Sequence, residues 1–278
     1  MKLNGSFSKQ VSRVSRAVDS IKRMSRLHYS PSEWASLVSA LRARGLETDV
    51  LDFHVSYLSN GPFRYALREV FFYGEYLFDA GTDTPVILDC GANIGLATLF
   101  FKRLYPKARI SCFEADPTTA SILRKNVDQN NLKEVSAHNL MLSNDEGEHV
   151  FYVAGDQDGS LMMSSMPGRL SNHREIVVKA GKLSRYIDGP VDLLKLDVEG
   201  AEFDVMTDLK SSGKLSQIRR MVIEYHHKIG GQSSCMAKFL ALLEEEGFEY
   251  QISCQCDPIT RENQFQDIHI GAYRPHPN

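Results

Sequence analysis

The sequence predicts an α/β fold: a doubly wound, mostly parallel sheet with helices on both faces and an antiparallel C-terminal edge. Three observations predict it. From Val86 onward, apolar runs of strand length alternate with amphipathic stretches of helical length. Several of those runs end in an acid: Asp89, Glu114, Asp197 and Glu224. The first of them passes through Gly91-Ala92-Asn93-Ile94-Gly95 straight into a helix opening at Leu96. A strand that feeds a helix through a glycine turn brings backbone N–H groups close to a ligand at the mouth of a parallel sheet.

The chain has 278 residues, enough to bury a full core. It divides into a mostly helical extension, 1–80, capping one large domain, 81–278. Hydrophobic residues make up 42% and charged residues 24%, as in ordinary globular proteins. The net charge of −3 gives no support to a general nucleic-acid binder. No apolar run approaches a membrane span. The five cysteines are an odd set, and Cys90 and Cys112 fall inside apolar strand patterns. Reduced thiols and a cytoplasmic location are therefore expected. Cys254 and Cys256 form a C-x-C, but no nearby pair of His or Cys completes a zinc pattern.

Residues 1–30 carry seven Lys and Arg against the single acid Asp19. Val11, Val14, Val18, Ile21, Met24 and Leu27 recur at helical spacing, so the segment reads as a basic amphipathic helix. Docking on the core or on a homodimer mate is favoured. Contact with an anionic membrane surface comes second and a transit segment third. Ser30-Pro31-Ser32-Glu33 is a strong helix start, with Ser30 as N-cap and Glu33 completing a capping box. Gly45 would end that helix. A short apolar stretch follows from Val50 to Tyr57, then a helix over Phe63–Phe78. Phe71, Tyr73 and Tyr76 in it are core candidates that could also line a pocket.

Glu114 stands 19 residues past Gly95, at the end of the second strand. An acid at about 20 residues after such a turn accepts hydrogen bonds from ribose hydroxyls. Asp116 and Pro117 start the next helix. A third strand is expected over Val135–Leu142, with Ser143 at its end either in reach of a cofactor base or in a turn leading to Asp145–Glu148. Val150 and its neighbours form a short strand, and a returning one lies near Ile176. Between them, the polar loop 155–168 offers Ser160, Met162 and Met163 as substrate contacts.

Lys195, Asp197, Glu199 and Glu202 gather at the end of the next apolar strand. Lys195 and Asp197 share one strand face by the period of two. Four charges at the end of a buried strand need a ligand or mutual pairing. Pairing of Lys195 with Glu199 or Glu202 would account for part of the cluster. Ile218–Tyr225 forms another strand, ending in Glu224, His226 and His227. Asp197, Glu224 and His226 could together hold Mg²⁺, although no metal is the favoured reading. Two closing strands, 248–256 and 268–273, complete the sheet.

These residues resemble the FkbM family of S-adenosylmethionine-dependent methyltransferases. The marks are Asp89-Cys-Gly-Ala-Asn-Ile-Gly95, Phe113-Glu114, Lys195-Leu-Asp-Val-Glu-Gly-Ala-Glu202 and Ile223-Glu-Tyr-His226. They span residues 85 to 226, and strand order extends the likeness to about 275. Ala115 departs from the proline usual in the family, with little consequence for Glu114. Residues 1–80 match no part of the pattern. The resemblance implies a class I methyltransferase, a Rossmann-like fold with a seven-stranded sheet. It implies S-adenosyl-L-methionine as cofactor and a hydroxyl of a sugar or secondary metabolite as acceptor. By position, Asp89, Gly91, Asn93 and Gly95 would hold the amino-acid end, and Glu114 the ribose with Ala115 beside it. Asp197 would orient or deprotonate the acceptor, with His226 the other base candidate and Lys195 and Glu199 in the same cluster. Two rival readings are a non-catalytic cofactor-binding scaffold and methylation of protein or nucleic acid. The turn lacks the G-x-G-x-x-G of pyrophosphate binders, which argues against a nicotinamide dehydrogenase.

Overall fold

The computed structural model describes residues 27–154, 173–229, 233, 235–254 and 265–275. The basic segment 1–26, the loop 155–172 with Ser160, Met162 and Met163, and Cys256 lie outside the described residues.

The first helix, α1 (Pro31–Arg42), begins as its sequence dictates. The Ser30 N–H donates to Glu33 Oε2 at 2.6 Å, and the Glu33 N–H donates back to Ser30 Oγ at 3.3 Å. It stops at Arg42, short of Gly45. The apolar stretch after it is a hairpin of β1 (Glu47–Val50) and β2 (Phe53–Ser56), turned by Leu51 at φ 55. Next comes α2 (Asn60–Leu67), which widens into a π-helical turn over Arg68–Phe72. The helix expected to reach Phe78 therefore ends at Phe72, and Gly74 reverses the chain at φ 61.

The central layer follows. It runs β3 (Val86–Cys90), α3 (Leu96–Leu104), β4 (Arg109–Glu114), α4 (Pro117–Gln129) and β5 (Val135–Asn139). After it come β6 (Met141–Leu142), β7 (Gly147–Ala154), β8 (His173–Gly181), β9 (Leu193–Leu196) and α5 (Glu202–Ser211). The chain closes with β10 (Arg220–His227), α6 (Met236–Glu245), β11 (Glu249–Cys254) and β12 (Gln266–Tyr273). Seven strands form one sheet in the order β11-β12-β10-β9-β3-β4-β5. It is parallel from β10 to β5. This is the doubly wound α/β sheet that the alternation of strands and helices predicts.

The C-terminal edge is the expected antiparallel pair, with β12 lying between β10 and β11 and antiparallel to both. One detail differs from expectation: the strand expected over Val135–Leu142 breaks at Leu140. Its first half stays in the large sheet, while Met141 and Leu142 join β7 and β8 in a separate three-stranded sheet.

Side chains of β3 alternate between two apolar layers. Ile87 packs with Leu37, Phe63, Phe71, Phe100 and Leu123, and Leu88 packs with Leu194, Val205, Ile223 and Phe239 on the other face. Burying each such side chain contributes about 1.5–3 kcal/mol. Segment 27–80 thus shares one core with α3 and α4. Cys112 is buried within this core and Cys90 within the core on the opposite face, and no disulfide occurs among the described residues. No described helix is long and apolar enough to cross a membrane.

Candidate functional site

The chain order reverses between β3 and β9, the place where open α/β sheets bind ligands beyond the strand ends. Two residues pin the turn there. Gly91 has φ 78, and a Cβ on it would lie 1.6 Å from the Asp197 carbonyl oxygen. Only glycine lets the ends of β3 and β9 approach this closely. Gly95 has φ 92, and a Cβ there would sit 2.8 Å from Leu123 of α4.

The turn does not offer its N–H groups to a ligand, and this corrects the expectation drawn from its glycines. The N–H groups of Gly91 and Ala92 both donate to the Phe113 carbonyl at 2.9 Å. Asn93 N–H donates to Glu114 Oε2 at 2.9 Å, and Ile94 N–H to Asn93 Oδ1 at 2.7 Å. Gly95 N–H donates to the Ala92 carbonyl at 2.9 Å. Every amide from Gly91 to Gly95 is committed, so this is no phosphate cradle.

Beneath the turn, Asp89 is fully buried. Its Oδ2 accepts from the Thr98 hydroxyl at 2.7 Å, and its Oδ1 lies 3.4 Å from Lys195 Nζ. Lys195 Nζ donates to the Gly91 carbonyl at 2.7 Å and lies 3.6 Å from Asp197 Oδ2. Its partners are thus Asp89 and Asp197, not Glu199 or Glu202 as expected. Burial pulls the ammonium down, but Asp89 and Asp197 outweigh it and hold the charge above its usual range.

Glu202 turns elsewhere. Its Oε1 accepts from Gly200 N–H at 2.9 Å and meets His226 Nδ1 at 2.7 Å. The opposite ring nitrogen, Nε2, lies 2.8 Å from Glu199 Oε2 and 4.0 Å from Asp197 Oδ1. Burial lowers this imidazole, yet the Glu202 carboxylate and its neighbours raise it to about 9. Both nitrogens face carboxylates and the ring lies off the cavity, so His226 is not placed to take a proton.

A cavity of about 300 Å³ opens over the turn. On the β4 side its walls are Phe113, Leu140, Met141, Leu142 and Phe151, with Glu114 and Ala115. Glu114 receives the Asn93 and Asp116 amides at 2.9 Å each, while burial pushes its carboxyl up to about 7. On the β9 and β10 side the lining is charged: Lys195, Asp197, Glu199, Glu224, Asp267 and His269, with Tyr65, Glu69, Glu75 and Tyr76 from the N-terminal segment. His269 Nδ1 pairs with Glu75 Oε1 at 2.7 Å, a bond that lifts the imidazole to about 9.

Gly91, Asn93, Glu114, Ala115, Lys195, Asp197 and Glu199 therefore line one space, as their motifs predict. Asp89, Gly95, Ser143 and His226 do not line it. Ser143 is buried with its hydroxyl on Asp145 Oδ1 at 2.9 Å. Of the three aromatics singled out between 71 and 76, Tyr76 lines the cavity and Phe71 is core. Glu75, Asp267 and His269 were not foreseen, because no local spacing ties them to the turn. Carboxylate and imidazole atoms of Glu75, Glu224 and His269, and of Asp197, Glu199 and His226, come within 4.8 Å of one another. In these groupings His269 pairs with Glu75, and His226 lies between Glu199 and Glu202.

A family model described as the Methyltransferase FkbM domain matches residues 89–250. Methyltransferase 1 of Beauveria bassiana is 30% identical over 201 residues, covering 65% of this chain and 79% of that protein. Methyltransferase sdnD of Sordaria araneosa is 29% identical over 239 residues, covering 73% and 88%. The 2-O-methyltransferase NoeI of Sinorhizobium fredii is 29% identical over 164 residues, covering 51% and 63%.

Proposed function

The chain belongs to the FkbM methyltransferase family, and from that premise we propose that it moves a methyl group from S-adenosyl-L-methionine to a hydroxyl of a sugar or secondary metabolite. One observation carries the reading. A single cavity joins an apolar slot with a ribose-spaced acid, Glu114, to an acid-lined half across the glycine turn.

The residues suit this cofactor on chemical grounds. With its amides committed, the turn has carbonyls and neighbouring carboxylates to offer, which favour a cationic amine over a phosphate. Glu114 would take the ribose hydroxyls. Leu140, Met141, Leu142 and Phe151 would sandwich the planar base. Gly91 and Asn93 would flank the amino-acid end. Asp89 acts from below, holding the Lys195 ammonium against the turn, while Lys195 itself lines the cavity beside Asp197.

When bound, the cofactor supplies a methyl already activated on a sulfonium, and its sulfur leaves as a neutral thioether. The chain must align the acceptor oxygen behind that methyl and take one proton from it. Alignment in well-oriented systems is worth about 7–11 kcal/mol. Asp197, fixed by Lys195 at 3.6 Å, is the orienting group for the hydroxyl. A relative named for 2-O-methyl transfer supports oxygen as the acceptor atom. The acid-lined half repels phosphate backbones, which favours an uncharged small acceptor over nucleic acid.

Asp197→Asn tests the assignment. It keeps the side chain's shape, so S-adenosylhomocysteine should bind within a fewfold of wild type by calorimetry. Methyl transfer to hydroxyl acceptors should fall by at least about 100-fold. Unchanged turnover would remove Asp197 from the reaction, and transfer to lysine or nucleic acid in place of hydroxyls would replace the acceptor class.

A further inference from the structure

Among the carboxylates that line the cavity, Glu224 is bonded differently from the rest. Asp197 faces Lys195, Glu199 faces His226, Glu75 faces His269, and Glu114 receives two backbone amides. Asp267 lies 3.8 Å from His226, and Glu69 is also partnered. Glu224 lines the same space with no hydrogen bond or ion pair among the described residues. It sits near the carboxyl end of β10, directly opposite His269 of β12. The preceding residue, Ile223, is in register with Leu196, so Glu224 is level with Asp197.

We propose that Glu224 is the general base that takes the acceptor hydroxyl's proton, while Asp197 orients the same hydroxyl. This rests on the methyl-transfer reading above. The O–H bond breaks and its proton goes to a Glu224 oxygen. The freed pair bonds the methyl carbon, and the pair of the old carbon–sulfur bond stays on sulfur.

A base needs an uncommitted lone pair and enough proton affinity to hold what it takes. Asp197 already faces the buried Lys195 ammonium at 3.6 Å. Glu224 has no such partner among the described residues. Burial, with the Asp197 and Glu75 carboxylates, pushes its pKa up to about 8, against the opposing charge of His226 and His269. Lys195 and the Tyr65 and Tyr76 phenols also feel its charge. Burial thus favours the protonated form of Glu224 in the free protein. A sulfonium seated beside it would expel that proton and ready the base before the acceptor reacts.

Calorimetry in buffers of different ionisation enthalpy reads this expulsion directly. At neutral pH, S-adenosylmethionine should release more protons on binding than S-adenosylhomocysteine, which lacks the sulfonium charge. The difference should vanish in Glu224→Gln and persist in Glu224→Asp. Binding of S-adenosylhomocysteine to Glu224→Gln shows that the variant is folded; if that variant does not bind it, loss of the difference in Glu224→Ala replaces that arm. An equal proton count for the two ligands, or a difference that survives without the Glu224 carboxyl, overturns the proposal and leaves methyl transfer standing. Absence of binding by wild type for either ligand overturns the methyl-transfer reading itself.

Discussion

Gly91 illustrates how one atom's absence sets the site. A Cβ there would overlap the Asp197 carbonyl at 1.6 Å, and the overlap is with backbone, which cannot swing aside. Gly91→Ala should therefore cost more than about 3 kcal/mol, from overpacking together with the left-handed backbone. Urea denaturation would show it, and a variant as stable as wild type would mean that β3 and β9 are farther apart. His226 makes a second residue-scale claim. Its folded pKa is raised to about 9, above the ordinary value, so the folded state binds the proton more tightly. That contribution is full below about pH 6.5 and is lost as pH rises to about 9. The stability gap between wild type and His226→Gln should narrow over this window, as read from thermal midpoints at pH 6, 7.5 and 9. A gap that widens with pH would contradict the imidazolium held between Glu199 and Glu202.

At the scale of elements, the clearest sequence signals are local ones. Ser30 and Glu33 cap α1 because both partners lie within three residues, and Asp116 starts α4 by accepting the Thr119 N–H at 2.9 Å. Ser30→Ala should destabilise the protein by about 1 kcal/mol and leave ligand binding unchanged. A loss of binding with it would tie α1 to the cavity more directly than its packing does. Where partners are distant, the pattern of residues is silent. Val135–Leu142 reads as one strand, yet the turn of pairing at Leu140 depends on β8, some forty residues on. The same holds for β12, whose place between β10 and β11 is a matter of sheet pairing and leaves no mark on its own alternation.

At the scale of the molecule, the glycine turn, Glu114 and the Asp197 cluster were legible because each sits at a strand's carboxyl end, and a parallel sheet gathers such ends on one edge. Their division of labour was not. Whether a side chain faces the cavity or the layer beneath depends on neighbours from other strands: Asp89 and His226 turned inward, Glu114 and Asp197 outward. Tyr76, Glu75 and His269 reach the cavity from the N-terminal segment and from the last strand, positions no motif connects to the turn. The central claim is that this one cavity seats the cofactor's base and ribose on the β4 side and its sulfur toward β9 and β10. A crystal structure of the complex with S-adenosylhomocysteine tests it most directly. The account predicts ribose hydroxyls on Glu114, the base against Leu142 and Phe151, and the sulfur facing Asp197 and Glu224. A ligand lying in the opposite sense, or bound outside this cavity, would contradict it.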